Sequence, residues 1–361
     1  MTEKCCAVIM AGGKGERFWP LSTRSRPKQL LSLVGDEPLL SLAVKRLEGL
    51  IPLRNIFIIT RDELTEAVRQ TAPELPGENI VGEPFGRDTA AACALGAALV
   101  KARDPEAVFC VLTADHIIED IPIFQKTLAE SMKTASSSDV LITIGIKPGF
   151  PSTGFGYIEA GNALSERDGI EFAAARRFVE KPDRATAGKY LEKGNYYWNS
   201  GMFVWSVNSF LKALKEFEPP LYAMSETMAS HAGKEDFQDM LETEYSKLRK
   251  ISVDYAVMEK ARNIVVVKGL FDWDDVGSWP ALENHFDKDS SGNILIGRCK
   301  TIDAEGNIVV SHNRVTALMG VRGLIVVHAE NATLVCTRER AQEVKAMVKK
   351  LSEDNTCGDV L

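Results

Sequence analysis

The 361-residue sequence has no apolar run long enough to cross a bilayer, which argues against a helical membrane protein. Its first ten residues, MTEKCCAVIM, carry one Lys and a short apolar run that leads straight into a glycine loop. They lack the small-residue cleavage pattern of a secretory leader, so the run reads as a first strand. There is no excess of basic charge either. A net charge of −7 disfavours nucleic-acid binding, which needs a basic face to displace condensed counterions, although placed Lys, Arg and backbone N–H groups can still hold a small anionic substrate. The seven cysteines are odd in number and scattered, and Cys5-Cys6 lacks the spacing of a zinc half-site with no His cluster to complete one. They read as small buried hydrophobes in a reducing compartment, and the expected location is the cytoplasm. What is present is ordinary for a soluble globular chain: 45% hydrophobic and 26% charged residues, no low-complexity linker and no convincing long-range repeat. The length predicts one large domain and a smaller one.

Through the first half, short β-branched runs (CAVIM, NIFIIT, AVFCVLT, VLITIGI) alternate with helical patterns (LLSLAVKRLEGL, AACALGAALVKA, IFQKTLAESMKTA). The alternation implies βαβ units and a mainly parallel, Rossmann-like α/β sheet, whose ligands sit at the carboxyl ends of the strands. From about residue 151 the pattern shifts to strands joined by turns, read as an excursion that roofs the substrate site. From about 286, repeated short strands with Gly or Asn turns (SGNILIG, EGNIVVS, GLIVVHA, ATLVCT) precede a helix. The expected domains are therefore 1–285 and a small strand-rich unit at 286–361, for which a β-helix is one candidate. Its strands could pair between chains, giving a homodimer, or pack on their own core.

The chemistry concentrates in Val8 to Gln29, VIMAGGKGERFWPLSTRSRPKQ. Gly12, Gly13 and Gly15 let the backbone turn tightly and bring its N–H groups close to phosphate oxygens, and Arg17 and Lys28 would neutralise phosphate charge. The loop lacks the Gly-Lys-Ser/Thr of a P-loop and the third glycine of the dinucleotide fingerprint, which falls at Phe18. Directly after the VFCVL strand comes Thr113-Ala114-Asp115-His116, where a carboxylate could hold Mg²⁺ or merely cap the next turn. Asp274-Asp275 in WDDVGSW offers a second carboxylate.

With AGGKGERFWPLSTRSRPKQLL in front, the motifs GEPFGRDTAAA, LTADHII, FGYIEAG, FVEKPD, YWNSGMFVW, ISVDYAVMEKA and WDDVGSW follow in order across residues 7 to 282. This ordered set resembles the sugar-nucleotide pyrophosphorylases, and the first motif is similar to the mannose-1-phosphate guanylyltransferase branch. The resemblance implies a glycosyltransferase-A-like nucleotidyltransferase fold that joins GTP to mannose 1-phosphate with Mg²⁺, releasing diphosphate. It implies a nucleotide site at Ala11, Gly12, Gly13, Gly15, Glu83, Arg87 and Thr89, and catalytic Arg17 and Lys28. It also implies a sugar-phosphate site at Gly156, Glu180, Lys181 and Asn199, and metal ligands Asp115 and Asp275. A Glu83 carboxylate could accept from both guanine N1–H and the 2-amino group, a donor pair that adenine lacks.

A sugar phosphate with its second pKa near 6 is already ionised at neutral pH, so no protein base and no covalent intermediate are expected. His116 is then a neighbour rather than a base. Bland readings stand beside several of these: Asp88 or Thr89 as the cap of the following helix, Glu180-Lys181 as a solvated pair, Trp198, Phe203 and Trp205 as core, Asp254 as a helix N-cap. Lys14 and Glu16 depart from relatives that carry Ser or Thr in the loop, and nothing after 286 is long enough for the phosphomannose isomerase domain of longer relatives. The rivals are the same chemistry on another sugar phosphate or nucleotide, a silent sugar-nucleotide-binding regulatory subunit, and a nicotinamide dehydrogenase, which the glycine spacing disfavours.

Overall fold

The computed structural model describes residues 4–361. The chain forms two compact units: one of residues up to Gly12 with Ala43–Ala114 and Ile118–Trp273, the other of Gly13–Leu42, Asp115–Ile117 and Asp274–Leu361. In chain order the elements are β1 (Cys5–Met10), α1 (Leu39–Lys45), β2 (Ile56–Arg61), α2 (Thr65–Thr71), β3 (Ile80–Glu83), α3 (Thr89–Arg103), β4 (Val108–Thr113), α4 (Ile121–Ser137) and β5 (Leu141–Ile146). Then follow β6 (Tyr157–Arg167), β7 (Ile170–Val179), α5 (Arg184–Lys193), β8 (Tyr196–Ser206), α6 (Val207–Phe217), α7 (Pro219–His231), α8 (Phe237–Ser246) and β9 (Ile264–Gly269). The last are β10 (Ile294–Ile302), β11 (Ile308–Met319), β12 (Leu324–His328), β13 (Thr333–Thr337) and α9 (Val344–Ser352).

The first unit is a nine-stranded sheet in the order β3-β2-β1-β4-β8-β5-β9-β7-β6. Seven strands run one way; only β7 and β8 oppose them. The near-continuous apolar runs of β1 and β4 reflect burial on both faces, as expected of central parallel strands. α3 is buried from Ala90 to Val100 and packs tightly on β1: a Cβ on Gly96 would lie 2.6 Å from Val8 Cγ1. Met10 pairs with Thr113, so β1 and β4 end level and their loops leave side by side. β6, β7 and β8 join the same sheet, and β8 inserts between β4 and β5 because its main chain pairs on both sides and Phe203 and Trp205 stack in the core. Trp198, Phe203 and Trp205 are all buried.

In the second unit β10, β11 and β12 pair in parallel and β13 closes the sheet antiparallel. Parallel neighbours joined by short turns make a coil of the β-helix kind. Its turns are held by a buried amide ladder, in which Asn293 Oδ1 accepts from Asn307 N at 2.9 Å and Asn307 Oδ1 accepts from Leu324 N at 2.9 Å. This explains the repeated Gly-Asn pairs: the Gly turns the chain, and the Asn takes up backbone N–H groups that have no strand partner. The coil's core includes Phe18, Trp19, Leu31, Val276 and Trp279 beside Ile294, Ile308 and Ile325. All seven cysteines are free thiols, and burial raises those of Cys6 and Cys110, the former to about 12.

Candidate active site

In the second unit, an antiparallel bridge sets two carboxylates on neighbouring segments. Ile117 N donates to Asp274 O at 2.9 Å and Asp274 N to Ile117 O at 3.1 Å, which brings the strand exit bearing Asp115 alongside the turn bearing Asp275. Asp274 is used structurally. Its Oδ1 accepts from Val276 N at 2.7 Å, and its Oδ2 from Asn284 Nδ2 at 2.7 Å and from His285 Nε2 at 3.0 Å. These bonds stabilise a turn in which Val276 sits at φ 42°, a conformation costly for a β-branched residue. Asp275 is left to face the site. Gly277 makes room there, since a Cβ on it would lie 2.9 Å from Asp275 Oδ2 and 3.5 Å from Arg17 Nη1.

Lys28 connects the two carboxylate segments. It is 5% exposed, and its Nζ donates to Asp115 Oδ2 at 3.0 Å and to the Asp275 carbonyl at 2.5 Å. Gly15 sets its position: at φ 63°, a Cβ there would lie 2.4 Å from Lys28 Cβ, so only glycine permits the approach. For Asp115 burial opposes ionisation, but Lys28 and then His116 together outweigh it and hold the carboxyl below its usual range. For Asp275 burial dominates and, with repulsion from Asp274 and Asp115, raises the pKa to about 6 despite Lys28 and Arg17. A pair of carboxylates, an all-oxygen donor set, suits a hard divalent cation that keeps several waters. Among the described residues no cluster of three or more His, Cys, Asp or Glu could hold a metal, so any ion here completes its shell from water or substrate.

In the first unit, Glu83 ends β3 at 9% exposure and accepts from Tyr245 Oη at 3.2 Å. Burial raises its pKa to about 7; Tyr245 opposes the rise and Asp88 adds to it. Its Oε2 lies 3.4 Å from where a Cβ of Gly12 would stand. Asp88, at φ 69°, caps α3 by accepting from Thr89 N at 2.8 Å. Thr89 Oγ1 takes Val253 N, and the Arg87 guanidinium donates to the carbonyls of Tyr245 and Ser246. Ala11 has both backbone groups engaged, its N–H with Ile59 O and its carbonyl with Thr60 Oγ1, whereas Gly13 is exposed and a Cβ on it would meet nothing within 4 Å.

Gly156, Glu180, Lys181 and Asn199 form one group. A Cβ on Gly156 would lie 2.6 Å from Glu180 Oε2 and 3.5 Å from Asn199 Cβ. Lys181, at φ 43°, donates to Glu180 Oε1 at 2.7 Å, and that bond raises its pKa. Asp254 corrects the expectation of an N-cap: it is the first residue of a short π-helical turn, Asp254–Met258, whose N-cap is Val253, and it accepts from Asn199 Nδ2 at 2.7 Å. Burial, more than the nearby Glu180, raises its pKa to about 6. Tyr245, which donates to Glu83, and Gln342, whose Oε1 accepts from Arg17 Nη1 at 3.0 Å, are not legible from the sequence as neighbours of these residues. Each lies in an ordinary amphipathic stretch, and only tertiary contact gives it a partner.

Comparison with known proteins matches residues 6–292 to the nucleotidyl transferase family and residues 297–351 to the MannoseP isomerase/GMP-like beta-helix domain. A mannose-1-phosphate guanylyltransferase of Escherichia coli is 39% identical over 96% of this chain and 74% of its own length. One from Sinorhizobium fredii is 37% identical over 98% of this chain and 69% of its length. The crystal structure of mannose-1-phosphate geranyltransferase from Thermus thermophilus superposes with a TM-score of 0.85 at 36% identity, over 97% of this chain and 99% of that one. With the nucleotidyl transferase match spanning most of its length and relatives this similar along nearly all of it, the chain belongs to the nucleotidyl transferase family, among the mannose-1-phosphate guanylyltransferases.

Proposed function

We propose that the chain transfers the guanylyl group of GTP to mannose 1-phosphate, releasing diphosphate, with residues 1–285 as the catalytic part and 286–361 as a β-helical domain. The observation that carries the mechanism is Lys28, a buried ammonium held between the Asp115 and Asp275 segments. Arg17 and Lys28 meet the phosphate charge, and most of it where it grows, on the departing diphosphate. Asp115 and Asp275 would hold Mg²⁺, which when bound would neutralise triphosphate charge and orient the α-phosphate. The sugar phosphate attacks as an anion, so the chain's task is alignment. Gly156, Glu180 and Asn199 suit sugar hydroxyls, because a carboxylate accepts from two of them while the glycine allows close approach. Lys181 suits the sugar phosphate. Ala11, Gly12, Gly13 and Gly15 line the nucleotide, Glu83 accepts from guanine, and Arg87 and Thr89 support that wall.

A cytoplasmic location belongs to the same proposal and is supported by the seven free thiols, which suit a reducing compartment. Among the described residues no helix is long and apolar enough to cross a membrane. The test of the activity is diphosphate release with Mg²⁺ across four nucleoside triphosphates and a panel of sugar 1-phosphates. Release confined to GTP with mannose 1-phosphate is expected; another preferred pair would overturn the pocket assignment, and silence would favour a regulatory subunit.

Glu83 makes the base site pH-sensitive. Its carboxyl titrates at about 7, and only the carboxylate accepts from guanine N1–H and the 2-amino group. KM for GTP should therefore be flat above pH 8 and rise as pH falls through 7, by up to about tenfold per unit once the acid form dominates. In Glu83→Gln that dependence should vanish. A wild-type KM for GTP that stays constant from pH 6 to 8 would remove Glu83 from the base site.

A further inference from the structure

The catalytic arginine is braced by a residue from the end of the chain. Arg17 Nη1 donates to Gln342 Oε1 at 3.0 Å, and Gln342 Nε2 donates to Ser278 Oγ at 3.0 Å. Ser278 follows Asp275-Val276-Gly277, so a single side-chain amide joins the glycine loop to the turn that carries Asp275. Gln342 sits in a short 3-10 turn, Arg338–Glu343, that leads into α9. That turn is anchored by buried Ala341 and Val344 in the same core as Phe18 and Trp279. Two residues after Arg17, Trp19 Nε1 donates to the Val360 carbonyl at 2.8 Å.

We propose that Gln342 is a positioning residue for nucleotidyl transfer, which fixes the Arg17 guanidinium beside the Asp275 turn without neutralising it. The inference rests on Arg17 acting on the phosphates. An amide is suited to the task because it accepts one N–H and donates another while carrying no charge, so the arginine keeps its full charge for a polyanion. Carboxylates are at hand on the same elements but are engaged elsewhere: Glu343 pairs with Arg340 at 2.5 Å, and Glu16 lies 3.8 Å from Lys345. A carboxylate in place of Gln342 would still bind Arg17, and could still accept from Ser278 Oγ, but would form an ion pair that competes with the phosphates.

The experiment compares wild type, Gln342→Ala, Gln342→Glu and Arg17→Ala by KM for diphosphate in the reverse direction, by kcat in both directions, and by Tm. Gln342→Glu should raise KM for diphosphate about tenfold, the scale of one charge-assisted hydrogen bond, with Tm at the wild-type value; Gln342→Ala should raise it about threefold. A merely structural link predicts the opposite order, with Gln342→Glu close to wild type because its hydrogen bonds survive. That order, or wild-type kinetics in both variants while Arg17→Ala is strongly impaired, overturns the role of Gln342. If Arg17→Ala is itself unimpaired, the assignment of Arg17 to the phosphates is at fault.

Discussion

Asp275→Asn should lower kcat by about 10²- to 10³-fold, whereas the protein should fold at least as well as the wild type. The first half follows from the donor set. With Asp274 taken by Val276 N, Asn284 and His285, Asp275 is the carboxylate of this turn left to face a cation. The second half follows from linkage. Burial and its acidic neighbours hold the Asp275 pKa at about 6, above its unfolded value. The metal-free fold therefore binds the extra proton, and the stability this group contributes is fully present below pH 4 and lost as pH rises through 6. The Asn variant lacks that loss, so above pH 7 its Tm without metal should equal or exceed that of the wild type. Asp274→Asn should behave in the reverse way: a lower Tm, because three hydrogen bonds to a carboxylate are weakened, with activity falling only as the turn loosens. Kinetics against Mg²⁺ concentration and metal-free melting curves check both. Equal losses of activity in the two variants, with equal losses of stability, would show the turn to be purely structural.

Lys28→Met should abolish most of the activity, again by about 10²- to 10³-fold in kcat, and should also cost about 2 kcal/mol of stability. Lys28 differs from Asp275 in having two tasks. Its ammonium is the nearest compensation for Asp115, and without it the two carboxylates are left with Arg17 and His116 as their basic neighbours. Met keeps an unbranched apolar stem while removing the charge, together with the ammonium's approach to the Phe18 ring at 5.9 Å, so the variant isolates the electrostatic part. Added Mg²⁺ should recover more of the lost Tm in the variant than it adds to the wild type, because the ion replaces a missing positive charge. Lys28→Arg keeps that charge but places a planar fork where Nζ meets a carboxylate and a carbonyl, so it should recover only part of the activity. Thermal melts with and without Mg²⁺, alongside diphosphate release, separate these effects. A Lys28→Met protein that melts like the wild type and keeps its kcat would exclude the lysine from the chemistry.

Local residue patterns were enough to indicate the sheet, the glycine loop and the strand-end carboxylates, because each depends on chain geometry within a few residues. Gly15 can be read as a tight turn, and Asp88-Thr89 as a helix start, from sequence alone. The repeated Gly-Asn turns likewise disclosed the strand-rich tail. The sequence could not indicate that β8 would insert between β4 and β5, since strand order depends on long-range pairing that leaves no local trace. Nor could it distinguish Asp275 from Asp274 on residue type; hydrogen bonds from Asn284 and His285 make that distinction. Asp254 looked like a cap because an Asp before a helical pattern usually is one, and a partner 55 residues away, Asn199, decided otherwise. Tyr245 and Gln342 gain their roles from residues 162 and 325 positions distant. The sequence by itself determined the chemistry available and the local turns that present it. Only the tertiary structure decided which carboxylate of the Asp274-Asp275 pair is tied into the fold and which neutral side chain meets Arg17, because burial and long-range hydrogen bonds depend on residues far apart in the chain.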